Sequence, residues 1–316
     1  MSESQTAYPA VSFDGVSFDG VSFIGLGKMG LPMAANLVRR FPGRAAVYNR
    51  TPLKTPEAVA ALGGARRAST PRECVRDATV VVTMVSDARA LMEVLMGDDG
   101  VLAGLIPGAL VIDMSTIGRS GALAAARAIE AKGGRFVDAP VSGSVKPAQR
   151  GELIALAGGD AADLAKAEPV ILAMCKRILV AGGVGQGQAL KVVLNGIGAH
   201  HLVAFTSMLA LGERAGLDRA TIVDAFTSGA FASPSYVGKA DKVVRRDYSP
   251  EFSLSLTKKD SQLNIDLQDE LGMPLAVQRA IAREVDAGID EGLGDEDLFA
   301  LEKHFASVGR APTSSS

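Results

Sequence analysis

VSFIGLGKMG, residues Val21 to Gly30, is the stretch whose reading decides the fold. A short apolar run suited to a strand passes straight into Gly25-x-Gly27-x-x-Gly30, and PMAANLVRRF follows from Pro32 with helical period. In that context each glycine has its own task. Gly25 permits a tight turn, Gly27 lets backbone approach a pyrophosphate, and Gly30 allows a helix to pack closely on its strand. The N–H groups that open the helix receive phosphate oxygens. The pattern therefore predicts a dinucleotide site lined by Gly25, Leu26, Gly27, Lys28, Met29 and Gly30. The unit VSF-x-G also occurs at Val11 and Val16, with Asp14 and Asp19 where the third copy has Ile24. A central parallel strand is covered on both faces and tolerates no such carboxylate, so only the third copy can be the strand. Residues 1–20 are expected to form a disordered prefix.

Working outward, the runs VSFIG, AAVYN (Ala45 to Asn49), TVVVTMV (Thr79 to Val85), ALVIDM (Ala109 to Met114), RFVDAPV (Arg135 to Val141) and ELIALAGG (Glu152 to Gly159) alternate with Ala- and Leu-rich helical segments. This alternation predicts an α/β fold with a Rossmann-type parallel sheet. From Ala189 onward strand-like runs disappear. The expected organisation is a dinucleotide-binding domain over 21–183, a helical substrate and oligomerisation domain over 184–306 entered by a long interdomain helix, and a disordered tail over 307–316. Within the helical part, Asp218 reads as a capped helix start, followed by segments near Leu256 to Leu271 and Leu275 to Gly288.

Composition bounds the function. The 316 residues carry a net charge of −2, which leaves no electrostatic footprint for nucleic acid or an anionic membrane. Small uncharged or anionic metabolites are the expected partners. Two cysteines, Cys74 and Cys175, without CxxC spacing or a histidine cluster, speak against a disulfide framework or a structural metal site. A reducing, cytoplasmic setting fits, and the first ten residues lack the basic and apolar regions of a secretory signal. From Val192 to Gly212, 21 residues contain no Asp, Glu, Lys or Arg. That length suits a membrane span, but Asn195, His200, His201, Thr206 and Ser207 suit a buried helix better.

The second strand ends in YNRTPLK, where an NAD site should carry an acidic residue for the ribose hydroxyls. None is present. Asn49, Arg50 and Thr51 stand at that corner instead, and Arg50 can fork onto a 2′-phosphate, which favours NADPH over NADH. A solvated basic turn is the plain alternative. Backbone at Met84 and Val85, ending the third run, is expected beside the same cofactor.

GLGKMGLPMAANL, DMSTIG, DAPVSGS, GQGQALKVVLNG and KKDSQLNID occur in the order and spacing of the β-hydroxyacid dehydrogenase family, which the chain resembles from Val21 to about Phe305. The resemblance implies a nicotinamide-dependent oxidoreductase with Lys191 as the catalytic acid. On the residues alone, Lys191 lies one turn before Asn195 on one helix face, where an amide can orient ammonium and substrate together. A lysine there could equally be a snorkelling surface group. The resemblance also implies cofactor contacts at Thr116 and Lys259, and substrate contacts at Ser142, Gly143 and Ser144 besides Lys191, Asn195, Phe252 and Asp260. Ser142 to Ser144 could equally be an ordinary turn, and Phe252 core packing.

SGSVKPAQRGEL (Ser142 to Leu153) is similar to the glyoxylate/succinic semialdehyde reductase branch. The expected activity is NADPH-dependent reduction of glyoxylate or succinic semialdehyde to the hydroxyacid, in a homodimer or homotetramer. The alternative is an NAD-dependent 3-hydroxyisobutyrate dehydrogenase. Imine reductases share the fold and the NRT corner but generally lack the lysine, and non-catalytic readers of this fold lose it too.

Overall fold

The computed structural model describes residues 20–53 and 55–309. Two VSF-x-G copies, the far tail and Lys54 lie outside the described residues, apart from Gly20. The chain divides into two compact units: residues up to Ser115 with Ala122–Val184, and Thr116–Gly121 with the chain from Gly185 onward.

The first unit is built on strands β1 (Val21–Ile24), β2 (Ala45–Tyr48), β3 (Arg66–Arg67), β4 (Val80–Thr83), β5 (Leu110–Asp113), β6 (Arg135–Asp138), β7 (Val141–Ser142), β8 (Leu153–Gly158) and β9 (Cys175–Gly182). Their order is β3-β2-β1-β4-β5-β6-β8-β7, with β9 paired to β8. Strands β1 to β6 run parallel in this order. Ile24 is 1% exposed, so an aspartate at this position would bury an uncompensated charge. The expectation of a parallel sheet needs one correction: β8 runs antiparallel to β6 and β7. Only the short helix Val145–Arg150 separates β7 from β8, too little for a parallel crossover, and Gly151 turns the chain back in the left-handed region at φ +70°.

Gly20, expected outside the fold, belongs to it. It is buried, and its carbonyl accepts the Thr79 N–H at 3.0 Å. At the other end, residues 307–309 were expected in the tail. The last helix runs Leu301–Ser307, and Arg214 donates to the Val308 carbonyl at 2.7 Å, which ties this segment down.

The second unit is helical around the 29-residue helix Gln186–Arg214. That helix, expected to run between domains, belongs to this unit as a whole. By length and composition it could cross a membrane, with a mean hydropathy of 1.4 over its most apolar window, 39% of which is buried. Leu202, Phe205 and Leu209 enter a core with Tyr236, Leu254 and Phe299. Asp218 caps the next helix by accepting the Thr221 N–H at 2.9 Å. Helices Leu254–Glu270 and Ala276–Asp290 complete the bundle.

One buried acid gives the first unit a pH signature. Asp113 ends β5 beside Asp138 of β6, and the Thr83 and Ser115 hydroxyls each donate to its Oδ1 at 2.7 Å. Its Oδ2 has no hydrogen-bond partner among the described residues. Burial pushes the carboxyl up to about 6, outweighing the hydroxyls, and Asp138 adds to the rise. The folded chain thus holds this proton more tightly than the unfolded chain, and stability is lost as pH rises from about 4 to about 6. We expect Asp113→Asn to gain about 3 kcal/mol relative to wild type across that interval, measured by urea unfolding at a series of pH values. A pH-independent difference would contradict the assignment.

Candidate active site

The carboxyl ends of β1, β2 and β4, three adjacent strands, bring the first group of expected residues together. Gly25 has φ +98°, and a Cβ there would stand 2.1 Å from the Met84 carbonyl oxygen. A Cβ on Gly30 would stand 1.9 Å from the Gly25 carbonyl oxygen. Both positions are closed to any side chain. Around Gly27, by contrast, a Cβ would meet nothing within 4 Å. Its backbone is exposed and open to a ligand. The helix Gly30–Arg40 begins at Met29 without a side-chain cap; Leu31 donates its N–H to the Gly27 carbonyl at 3.0 Å and Pro32 has none, which leaves the Gly30 N–H as the donor at the helix start that an anion could take.

Asn49 joins this loop to the corner of β2. Its Oδ1 accepts the Leu26 N–H at 2.8 Å, and its Nδ2 donates to the Thr51 carbonyl at 2.6 Å. The Arg50 side chain is 80% exposed, with Glu93 at 3.4 Å, a pair too open to hold it against a competing phosphate. Lys28 and Thr51 are also exposed, and Met29 and Met84 are half-buried. Val85 donates its N–H to Ser115 Oγ at 2.9 Å, and Ser115 in turn donates to Asp113, which braces the end of β4. Ser142, Gly143 and Ser144 follow β6 along the same sheet edge, three strands from β1. Gly143 has φ +134°, Ser142 is half-buried, and Ser144 is exposed and caps nothing. An open glycine, an uncapped helix start and an exposed guanidinium fit a dinucleotide.

The second unit gathers Thr116, Lys191, Asn195, Phe252, Lys259 and Asp260. Asn195 donates to Asp260 Oδ2 at 2.7 Å. Lys259 donates to the Thr116 carbonyl at 2.9 Å and sits 3.6 Å from Asp260 Oδ1. Lys191 is one turn before Asn195 and half-buried. Burial draws its ammonium below the ordinary lysine value; Asp260 opposes this and the Lys259 charge reinforces it. Burial likewise raises the Asp260 carboxyl, against Lys259, Lys191 and Asn195. Phe252, Asn195 and Asp260 line a cavity of about 230 Å³, so Phe252 is a wall of a pocket rather than core packing. Among the described residues no His, Cys, Asp and Glu groups assemble into a metal-holding cluster.

Residues 20–183 match the family model of the NAD-binding domain of 6-phosphogluconate dehydrogenase, and residues 185–305 that of the NAD-binding region of NADP-dependent 3-hydroxyisobutyrate dehydrogenase. Over 273 residues the chain is 36% identical to glyoxylate/succinic semialdehyde reductase 1 of Arabidopsis thaliana, across 86% of this chain and 93% of that protein. The chain belongs to the β-hydroxyacid dehydrogenase family.

The crystal structure of a 3-hydroxyisobutyrate dehydrogenase from Salmonella typhimurium is similar at a TM-score of 0.79 and 28% identity, covering 90% of this chain and 99% of its own. The Mycobacterium tuberculosis 3-hydroxyisobutyrate dehydrogenase with L-serine is similar at 0.79 and 29%, covering 91% and 99%. This β-hydroxyacid dehydrogenase is an NAD(P)-dependent oxidoreductase acting on hydroxyacids.

Sequence reasoning missed three residues of the dehydrogenase. Gln188 is fully buried, and its Oε1 accepts the N–H groups of Ile117 at 3.0 Å and Gly118 at 3.1 Å, which fixes the segment after Thr116. It stands one turn before Lys191 within GQGQALK, a position that could have flagged it. Thr257 and Lys239 line the same cavity as Asn195, and nothing in the local pattern marks them.

The glycines separate folding from binding. Gly25→Ala should lower Tm, because strain and a backbone clash together cost about 1–3 kcal/mol or more. Gly27→Ala should keep the wild-type Tm while weakening cofactor affinity about tenfold or more, since the added methyl occupies the phosphate approach. Thermal melts with calorimetric cofactor titration check both. Equal Tm losses at the two positions would contradict the division.

Proposed function

We propose that this dehydrogenase reduces a short aldehyde bearing a carboxylate, glyoxylate or succinic semialdehyde, to the hydroxyacid with NADPH. The observation that carries the reading is Lys191, a half-buried ammonium with a lowered pKa one turn from the Asn195–Asp260 pair. The Gly25 to Gly30 loop, Asn49, Arg50, Thr51, Met84, Val85, Thr116 and Lys259 hold the cofactor in this reading. When bound, the dihydronicotinamide supplies a hydride to the carbonyl carbon. Lys191 gives its proton to the carbonyl oxygen, completing the alcohol. Asn195 has one amide N–H committed to Asp260, which leaves the other for the substrate oxygen. Ser142 with the N–H groups of Gly143 and Ser144 takes a carboxylate adjacent to the carbonyl. The name of the Arabidopsis relative supports this substrate pair, and the exposed Arg50 in place of an acidic residue supports NADPH.

Two buried thiols, Cys74 and Cys175, both free and pushed up to about 12 by burial, fit a reducing cytoplasmic setting. We also infer a homodimer or homotetramer, supported by Val193, Ile197, Met208 and Leu211, which lie exposed on the long helix.

Lys191→Ala should lose about 10²- to 10⁴-fold in kcat while keeping the wild-type Tm; near-normal turnover removes it from the acid role. Arg50→Ala should lower the NADPH over NADH ratio of kcat/KM about 10- to 100-fold, the worth of a charged hydrogen bond to phosphate. An unchanged ratio, or faster oxidation of 3-hydroxyisobutyrate with NAD than reduction of either aldehyde, would replace this reading with that of an NAD-dependent 3-hydroxyisobutyrate dehydrogenase.

A further inference from the structure

The cavity in the helical unit is longer than a two-carbon substrate needs, and it has two polar poles. One is the Asn195–Asp260 pair. The helices Gln186–Arg214 and Leu254–Glu270 run antiparallel here, since Asn264 donates to the Val192 carbonyl while Asp260 accepts from Asn195. The wall therefore passes from Asn195 and Asp260, by Ala199 and Thr257, to Leu202 and Phe252. Seven residues of helix separate Asn195 from Leu202, about 10 Å. The far pole is Lys239. Its ammonium stands 5.5 Å from the Phe299 ring, and Phe299 packs on Phe205, one turn beyond Leu202.

Lys239 is held as a recognition group would be. Its ammonium donates to both oxygens of Asp297 at 3.0 and 2.8 Å, and Asp297 is 2% exposed. The same carboxylate accepts the N–H groups of Glu251 at 3.0 Å and Phe252 at 3.3 Å, so one anion fixes both the cation and the aromatic wall. An ammonium has three donors, and two are used on Asp297. Glu251 lies 3.8 Å away, beyond hydrogen-bond reach, and also faces Lys242 at 3.5 Å. A buried ion pair is weak as a stabilising device, since apolar residues of similar volume do as well. Between the poles, Thr257 is 6% exposed and its hydroxyl has no hydrogen-bond partner among the described residues. A buried hydroxyl in a cavity wall without a partner points to a ligand that supplies one.

We propose that Lys239 receives a substrate carboxylate remote from the carbonyl, with Thr257 bonding the chain between, so that the cavity selects ω-carboxylated aldehydes over glyoxylate. The inference rests on the reading of Lys191 and Asn195 as the reacting end. Glyoxylate carries its carboxylate on the carbon next to the carbonyl and cannot bridge the poles, whereas succinic semialdehyde presents its carboxylate at the opposite end of the chain.

The test compares wild type with Lys239→Met and with the double variant Lys239→Met/Asp297→Asn, which leaves no unpaired buried carboxylate. The ratio of kcat/KM for succinic semialdehyde over glyoxylate should fall about 10- to 100-fold, chiefly through KM, because a hydrogen bond to a charged group is lost. A proportionate loss on both substrates would reduce Lys239 to a structural role and overturn the proposal. Calorimetry with succinate and acetate on the full chain with NADP gives a readout free of turnover. Wild type should bind succinate more tightly than acetate, and the double variant should lose the difference. If wild type reduces neither aldehyde, the proposed reaction fails while this titration still decides Lys239. Succinate binding that matches acetate, or that survives both variants, overturns the proposal.

Discussion

Asp260 is the interaction on which the candidate chemistry depends. One buried carboxylate accepts the Asn195 amide, stands beside the Lys259 ammonium and offsets the charge of Lys191. Two lysines drawn out of water against each other would both tend to lose their protons. A single anion among them keeps one position poised: burial and Lys259 lower the Lys191 pKa, and Asp260 limits the fall. An acid must hold its proton at the working pH and still give it up, and this balance of terms sets both conditions. Lys259 is fixed in turn by the Thr116 carbonyl, and the segment after Thr116 by Gln188. The charge balance is therefore built into the backbone rather than left to mobile side chains.

The sheet unit rests on a different constraint, the exclusion of side chains. Gly25 and Gly30 bring backbone within contact of backbone, and Asn49 ties the resulting loop to the next strand. The backbone that remains outward, at Gly27 and Lys28, is exposed to solvent, and a Cβ at Gly27 would meet nothing within 4 Å. A loop so constrained is stable without ligand and open to one.

How far the sequence disclosed these features follows from what kind of signal each leaves. Strands β1, β4 and β5 are buried on both faces, so they read as continuous apolar runs and were legible. Strands β3 and β7 are two residues long and leave no period, while Lys176 and Arg177 interrupt the apolar pattern of β9, which pairs with β8. The antiparallel return of β8 depends on loop length and a left-handed Gly151, not on the strand itself. In the site, Lys191, Asn195, Lys259 and Asp260 were readable because their motifs resemble a known family. Gln188, Thr257 and Lys239 were not, because an amide, a hydroxyl and a salt-bridged lysine acquire a role only from partners about 40 to 70 residues away in the chain, such as Asp297, Ile117 and the cavity wall.

The most direct measurement of the central claim is the pH dependence of kcat/KM for aldehyde reduction under conditions in which hydride transfer limits the rate. A protonated Lys191 tuned by burial predicts a rate that falls as pH rises through an apparent value below the ordinary lysine value of about 10.4, a limb that Lys191→Ala lacks. A profile that stays flat up to that value, or a falling limb that persists without Lys191, would contradict it.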